Sequence, residues 1–224
     1  MPNEPSFPGA LAAAEAEALD NGTQGLDAQY PQSCPFCNIA SAYAAPFHDL
    51  QAGPDVSTPD TAVVPEPSIT DVPEVTDSTA VDPECFLVLS GHNVVAFLDI
   101  MPMTRGHLLV CTRAHRPKLT DITSREGRDI GFWLPILARA VTKVTNVSDY
   151  NIVQNNGERA AQVVPHVHFH IIPRPETAAP LSHSWRMFGR GQREDMDEAE
   201  GVGLARELRE QVRRELRAVE RSLL

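Results

Sequence analysis

Not one lysine or arginine occurs before Arg105 in this 224-residue chain, whereas half of its 30 acidic side chains do. The net charge of −11 is therefore concentrated in the first half. Long polynucleotides are held by broad basic surfaces that neutralise many phosphates, so this half argues against such a partner; a small nucleotide needs only a few donors. Long apolar runs are also missing. Nothing approaches the roughly 20 residues of a bilayer span, and the start, MPNEPSFPG, lacks the basic segment and apolar core of a secretory signal. The expectation is a soluble intracellular protein of the cytoplasm, with the nucleus left open, and no membrane partner. Cysteine is scarce: Cys34, Cys37, Cys85 and Cys111 do not make a disulfide framework. In a reducing compartment the Cys34-x-x-Cys37 pair reads as a metal or redox element, and Cys85 and Cys111 as buried apolar residues. No internal repeat is visible, and the length suits one domain with extensions.

Taken in order, residues 1–33 form an N-terminal extension in which Ala10–Asp20, rich in Ala and Glu, predicts a peripheral helix stopped by Asn21-Gly22. Residues 50–83 are rich in Pro, Asp, Ser, Thr and Val without a basic residue, and predict a disordered or loosely ordered acidic insertion. From Glu84 the texture is β-rich. Cys85–Ser90 and Asn93–Asp99 read as a hairpin, His107–Thr112 as a third strand and Tyr150–Gln154 as a fourth. Thr123 and Glu126 fit a capping box opening an amphipathic helix through Ile130, Trp133, Leu137 and Val141, with Pro135 a kink. Residues 186–224 carry a long amphipathic helix from about Glu198, striped by Leu204, Leu208, Val212, Leu216, Val219 and Leu223, its start open to delay by Gly201 and Gly203.

The chemistry is concentrated in Asn155–Pro173, NNGERAAQVVPHVHFHIIP. His166, His168 and His170 alternate with Val167, Phe169 and Ile171, and on a strand alternate side chains share one face. One face is then apolar and the other presents a row of imidazoles, groups suited to nucleophilic attack, proton transfer or metal ligation. Asn155-Asn156-Gly157 reads on its own as a turn, and amide side chains such as Asn155 and Gln162 can bind phosphate oxygens without titrating.

The His-φ-His-φ-His-φ-φ pattern resembles the signature of the histidine triad (HIT) family of nucleotidyl hydrolases and transferases. The resemblance covers residues 84–175 and, through the cysteines, 34–48. It implies an α+β fold over 34–185: an antiparallel sheet of about five strands with one main helix, followed by the C-terminal helix. It implies attack by His168 on the α-phosphorus of a nucleotide to give a covalent nucleotidyl-histidine, with His170 serving proton transfers and His107 as a fourth catalytic histidine. Asn155 and Gln162 would lie near the phosphates, Asp99 would accept the ribose hydroxyls, and Phe97 and Ile100 would sandwich the base. Adenosine phosphoramidates and dinucleoside polyphosphates are the leading substrate classes, and homodimers are usual, with the last helix a candidate extension of that interface. In zinc-containing members the metal ligands correspond to Cys34, Cys37, His115 and His166, which makes His166 a ligand of a structural zinc and not a proton donor. Two positions depart from the family pattern: Ala161 replaces a glycine, and Val163 stands where many members carry Ser or Thr. A zinc-stabilised nucleotide-binding or scaffold protein with vestigial activity is the alternative. Removal of adenylate from DNA ends, as in the aprataxin branch, is disfavoured because that branch's basic surface and second zinc motif are missing.

Overall fold

Val94–Leu98 is apolar at every position and buried at every position. A strand with this pattern must be covered on both faces, and the computed structural model, which describes residues 34–46, 66–176 and 195–222, shows how. Five strands, β1 (Leu87–Ser90), β2 (Val94–Leu98), β3 (Leu108–Thr112), β4 (Tyr150–Gln154) and β5 (His168–Pro173), form one antiparallel sheet in the order β1-β2-β3-β5-β4. Among the described residues three α-helices accompany it: α1 (Pro35–Ala42), α2 (Ser124–Thr145) and α3 (Glu198–Ser222). This is the α+β architecture expected. The N-terminal segment Ala10–Asp20 and the final leucine of the C-terminal stripe lie outside the described residues.

On one face Val88, Val94, Ala96, Leu98, Leu108, Val110 and Ile171 pack beneath α2 and α3. The other face carries Leu87, Val95, Phe97, Leu109 and Cys111, and α1 covers part of it through Phe36, Cys37, Ile39 and Ala40. Pro35 starts α1 where its missing N–H costs nothing. The Thr123/Glu126 capping box opens α2, which runs through Pro135 and ends on Asn146 in the left-handed conformation.

The stripe of α3 is buried against the domain at Leu204, Leu208, Val212 and Leu216, worth about 1.5–3 kcal/mol for each fully buried side chain. These four positions are therefore satisfied within the chain. Gly201 and Gly203 do not delay the helix, which begins at Glu198. A Cβ at Gly201 would lie 2.5 Å from the Phe86 ring, so the residue is small to let that ring close on the helix.

The acidic insertion differs from expectation wherever it is described. Residues 66–83 are ordered by their own polar side chains: Ser68 and Asp71 cap one 3-10 turn, and Asp77 caps the next. Val72 is buried, and its carbonyl accepts from Arg213 on α3 at 3.0 Å. Arg209 reaches Thr76 Oγ1 and the Leu87 carbonyl at 3.2 and 2.7 Å, tying insertion, helix and sheet together. Composition suggested disorder because these arginine partners stand more than 130 residues away in the chain.

Candidate active site

The open part of the sheet face holds a cavity of about 600 Å³. His168, His170 and Ile172 of β5 line it with Phe97 and Leu109; Phe36 and Ile39 of α1 form one wall. The loop after β2 contributes Asp99, Ile100, Met101 and Met103, and the loop before β5 contributes Asn155, Ala161 and Val163. The alternation read in the sequence holds from His168 onward: Ile171 is fully buried on the opposite face, where Phe169 also packs. His166 lies just ahead of β5 and points elsewhere.

The surroundings of His168 suit nucleophilic attack. Its Nδ1 lies 2.6 Å from the His166 carbonyl oxygen and must donate to it, which leaves the lone pair on Nε2. Burial disfavours the imidazolium and lowers the pKa of His168 below 6.5, so the ring is held neutral. The edge of Phe36 meets this ring at 5.1 Å between centroids, and His170 meets it at 4.8 Å.

His107, expected among the catalytic residues, does not line the cavity. It is 0% exposed, and its Nε2 lies 3.0 Å from Nδ1 of His170. Its Nδ1 is 3.2 Å from Asp99 Oδ2. A residue so enclosed acts on a substrate only through His170.

Gln162 is likewise turned inward. Its Oε1 accepts the Gly157 N–H at 2.5 Å, and its Nε2 donates to the carbonyls of Pro117 (2.7 Å) and His166 (3.3 Å). Those donors are committed to backbone, so Gln162 holds the loop and the His166 carbonyl rather than binding a phosphate. Asn155 stays at the cavity wall, with one long bond of 3.4 Å to the Ala161 carbonyl. Gly157 has φ of 89°, which suits glycine, whereas Ala161 sits at φ 61° and ψ 32°. The position where the family pattern has glycine is therefore a left-handed one that alanine fills under strain.

Beside the cavity, Cys34, Cys37, His115 and His166 bring four donor atoms within 4.8 Å of one another. Nδ1 of His166 is 3.4 Å from Cys34 Sγ and 3.5 Å from Cys37 Sγ, and Nδ1 of His115 is 3.3 Å from Cys37 Sγ. With metal–sulfur and metal–nitrogen bonds of ordinary zinc length, the S···N edge of a tetrahedron is about 3.6 Å, so the group has the size of a tetrahedral site. The opposite edge of His166 supports this, because Nε2 lies 2.8 Å from the Thr112 carbonyl, which places the proton there and the lone pair on the cysteine side. A hydrogen bond from Cys37 pulls the Cys34 thiol down to about 3, and the same shared proton, with burial, raises Cys37. Cys85 is buried and its thiol is pushed up to about 12, and burial raises Cys111 as well, so both are inert packing residues.

Sequence reasoning missed the α1 wall. Phe36 and Ile39 lie within and just after the Cys34-x-x-Cys37 spacing, and their apolar character was the available signal. Thr112, the partner of the His166 ring, carried no signal of its own.

The HIT domain family model matches residues 82–177. The adenosine 5'-monophosphoramidase of Schizosaccharomyces pombe is 44% identical over 91 residues, which cover 41% of this chain and 65% of that protein. The adenosine 5'-monophosphoramidase of Candida albicans is 36% identical over 108 residues, covering 45% of this chain and 68% of the relative. Among solved structures, a hypothetical histidine triad nucleotide-binding protein from Sulfolobus tokodaii shares the fold, with a TM-score of 0.51 at 21% identity over 58% of this chain and 85% of that one. The chain thus spans about two thirds of the length of these two curated relatives, and with the triad strand and the sheet order in place it belongs to the HIT family.

Proposed function

We propose that this protein hydrolyses or transfers at the α-phosphate of a nucleotide through a nucleotidyl-His168 intermediate. The observation that carries the reading is the placement of His168 at the cavity, with Nδ1 fixed by the His166 carbonyl and Nε2 left as the nucleophilic atom. In the first step Nε2 attacks phosphorus, the bond to the leaving group breaks, and His170 gives the leaving group a proton. Water then attacks, the P–N bond to His168 breaks, and His170 takes the proton from water, releasing the nucleoside monophosphate. Phe97, Ile100, Phe36 and Ile39 supply apolar walls for a base, and Asp99 offers an acceptor for ribose hydroxyls. The relatives named as adenosine 5'-monophosphoramidases favour phosphoramidates as the first substrate class, with dinucleoside polyphosphates the second. A panel of both classes tests this: wild type turns over at least one, and His168→Ala binds nucleotide without turnover. Full activity in His168→Ala contradicts the mechanism.

A zinc ion in the Cys34, Cys37, His115 and His166 group belongs to the same reading, as a structural tie between α1 and the start of β5; the S···N spacings and the His166–Thr112 bond support it. A homodimer through β4 completes it. β4 ends the sheet, and Tyr150 and Ile152 on it are 42% and 44% exposed. The alternative is a zinc-stabilised scaffold that works through its acidic insertion and last helix; that helix has its Leu204–Leu216 stripe buried in its own domain, which favours the enzyme reading.

A further inference from the structure

One row of side chains crosses the cavity face of the sheet. Phe97 pairs with Leu109, Leu109 with His170, and His170 with Val153, so the row runs from β2 to the edge strand β4 with each member opposite the next. All four line the cavity. The Phe97 end, walled by Phe36 and Ile39, is the end read above as holding the base. Beyond His170 the row ends on Val153, and the cavity is apolar a second time. Ala161 and Val163 border it there, and Asn155 is the one polar side chain that β4 and the loop after it bring to the cavity among the described residues. Val163, at the position where many family members carry a hydroxyl, is 86% exposed. An apolar side chain open to water at a cavity rim is stabilised by a ligand that covers it. The carboxylates lining the cavity, Asp82, Glu84 and Asp99, disfavour a leaving group with negative charge of its own.

We propose that Val153, Ala161 and Val163 form a leaving-group subsite for apolar amines, so that the preferred substrates are nucleoside 5'-phosphoramidates whose amine carries an alkyl chain. The proposal rests on the reading of His168 and His170 given above and narrows its substrate class. As Nε2 of His168 bonds to phosphorus, the P–N bond to the amine breaks and its electron pair stays on nitrogen. That nitrogen takes the proton from His170 and departs as the neutral amine, with its chain along Val153 and under Val163. A second nucleotide, the leaving group of a dinucleoside polyphosphate, brings negative charge to an apolar surface and covers Val163 poorly.

The test is a series of adenosine 5'-phosphoramidates of ethylamine, propylamine, butylamine and pentylamine, which lengthens the chain while the basicity of the amine stays nearly constant. Wild-type kcat/KM should rise about two- to fourfold per methylene, the range expected for partial to full burial of a CH₂. Replacing butylamine by 4-aminobutanoate should cost about tenfold or more, since it brings a carboxylate to an apolar surface. Val163→Ser and Val153→Thr, which keep the side chains small, should each flatten the dependence on chain length and leave the ethylamine substrate little changed. Val163→Leu should keep the dependence. Because Val163 is exposed, its variants test the subsite even where Val153→Thr fails to fold. A wild-type rate independent of chain length, a better rate with 4-aminobutanoate, or an unchanged slope in Val163→Ser overturns the proposal while the proposed function stands. Wild type that releases none of these amines overturns the phosphoramidate reading itself, and the subsite with it.

Discussion

The backbone carbonyl of His166 accepts from Nδ1 of His168 at 2.6 Å, while the His166 side chain faces Cys34 and Cys37. One residue thus belongs to the cysteine cluster by its ring and to the nucleophile by its backbone. If zinc is bound there as proposed, its loss should loosen His168 as well as the fold. Purified protein is expected to hold about one zinc per chain, and His115→Ala should remove it and lower Tm by about 5–10 °C. His168→Ala should keep the metal. Elemental analysis decides, and protein free of zinc even after expression in supplemented medium contradicts the assignment.

Two glycines of α3 should respond oppositely. At Gly201 an added Cβ meets the Phe86 ring at 2.5 Å, so Gly201→Ala should destabilise by about 1–3 kcal/mol through overpacking. At Gly203 nothing lies within 4 Å, and Gly203→Ala should stabilise by up to about 1 kcal/mol through helix propensity. Urea titrations of the two variants give the comparison, and equal shifts would show that Phe86 is not packed on Gly201.

Ala161 occupies a left-handed backbone position at the cavity wall. Ala161→Gly should raise stability by about 1 kcal/mol by removing the Cβ penalty, and Ala161→Val should lower it. Thermal melts check both. A destabilised glycine variant would mean that the loop relies on alanine's narrower unfolded ensemble more than it suffers from strain.

Glu215 on α3 is buried and bridges to α2, accepting from Lys143 Nζ at 2.7 Å and Arg139 Nε at 3.1 Å. Burial alone would raise its pKa; the bonds from Lys143, Gln211 and Arg139 outweigh it, so the folded value is lowered below 4.5. The unfolded state binds the proton first on acidification. The contribution is therefore whole above pH 4.5 and lost as pH falls through the folded value. Glu215→Gln should cost about 1–3 kcal/mol at pH 7 and show a flatter acid limb than wild type. Superimposable acid limbs would contradict this.

Much of this was legible because it depends on near neighbours in sequence. The two-residue period placed His168 and His170 on one face, the Thr123/Glu126 pair marked the start of α2, and the Leu204–Leu216 stripe gave α3. What escaped depends on contacts made across the chain. His107 and Gln162 look like ligand-facing polar residues until the sheet encloses one and backbone groups claim both ends of the other. Residues 66–83 look unfoldable until Arg209 and Arg213 reach them. The α1 wall was hidden because Cys34 and Cys37 drew attention from Phe36 between them.

The most direct test of the central claim is rapid-quench mass spectrometry of the enzyme with an adenosine 5'-phosphoramidate, with peptide mapping of the product. The expected result is a nucleoside monophosphate adduct on His168 that forms and decays at rates consistent with turnover and is absent from His168→Ala. Turnover with no adduct, or an adduct mapped to His170 or His166, would contradict the account.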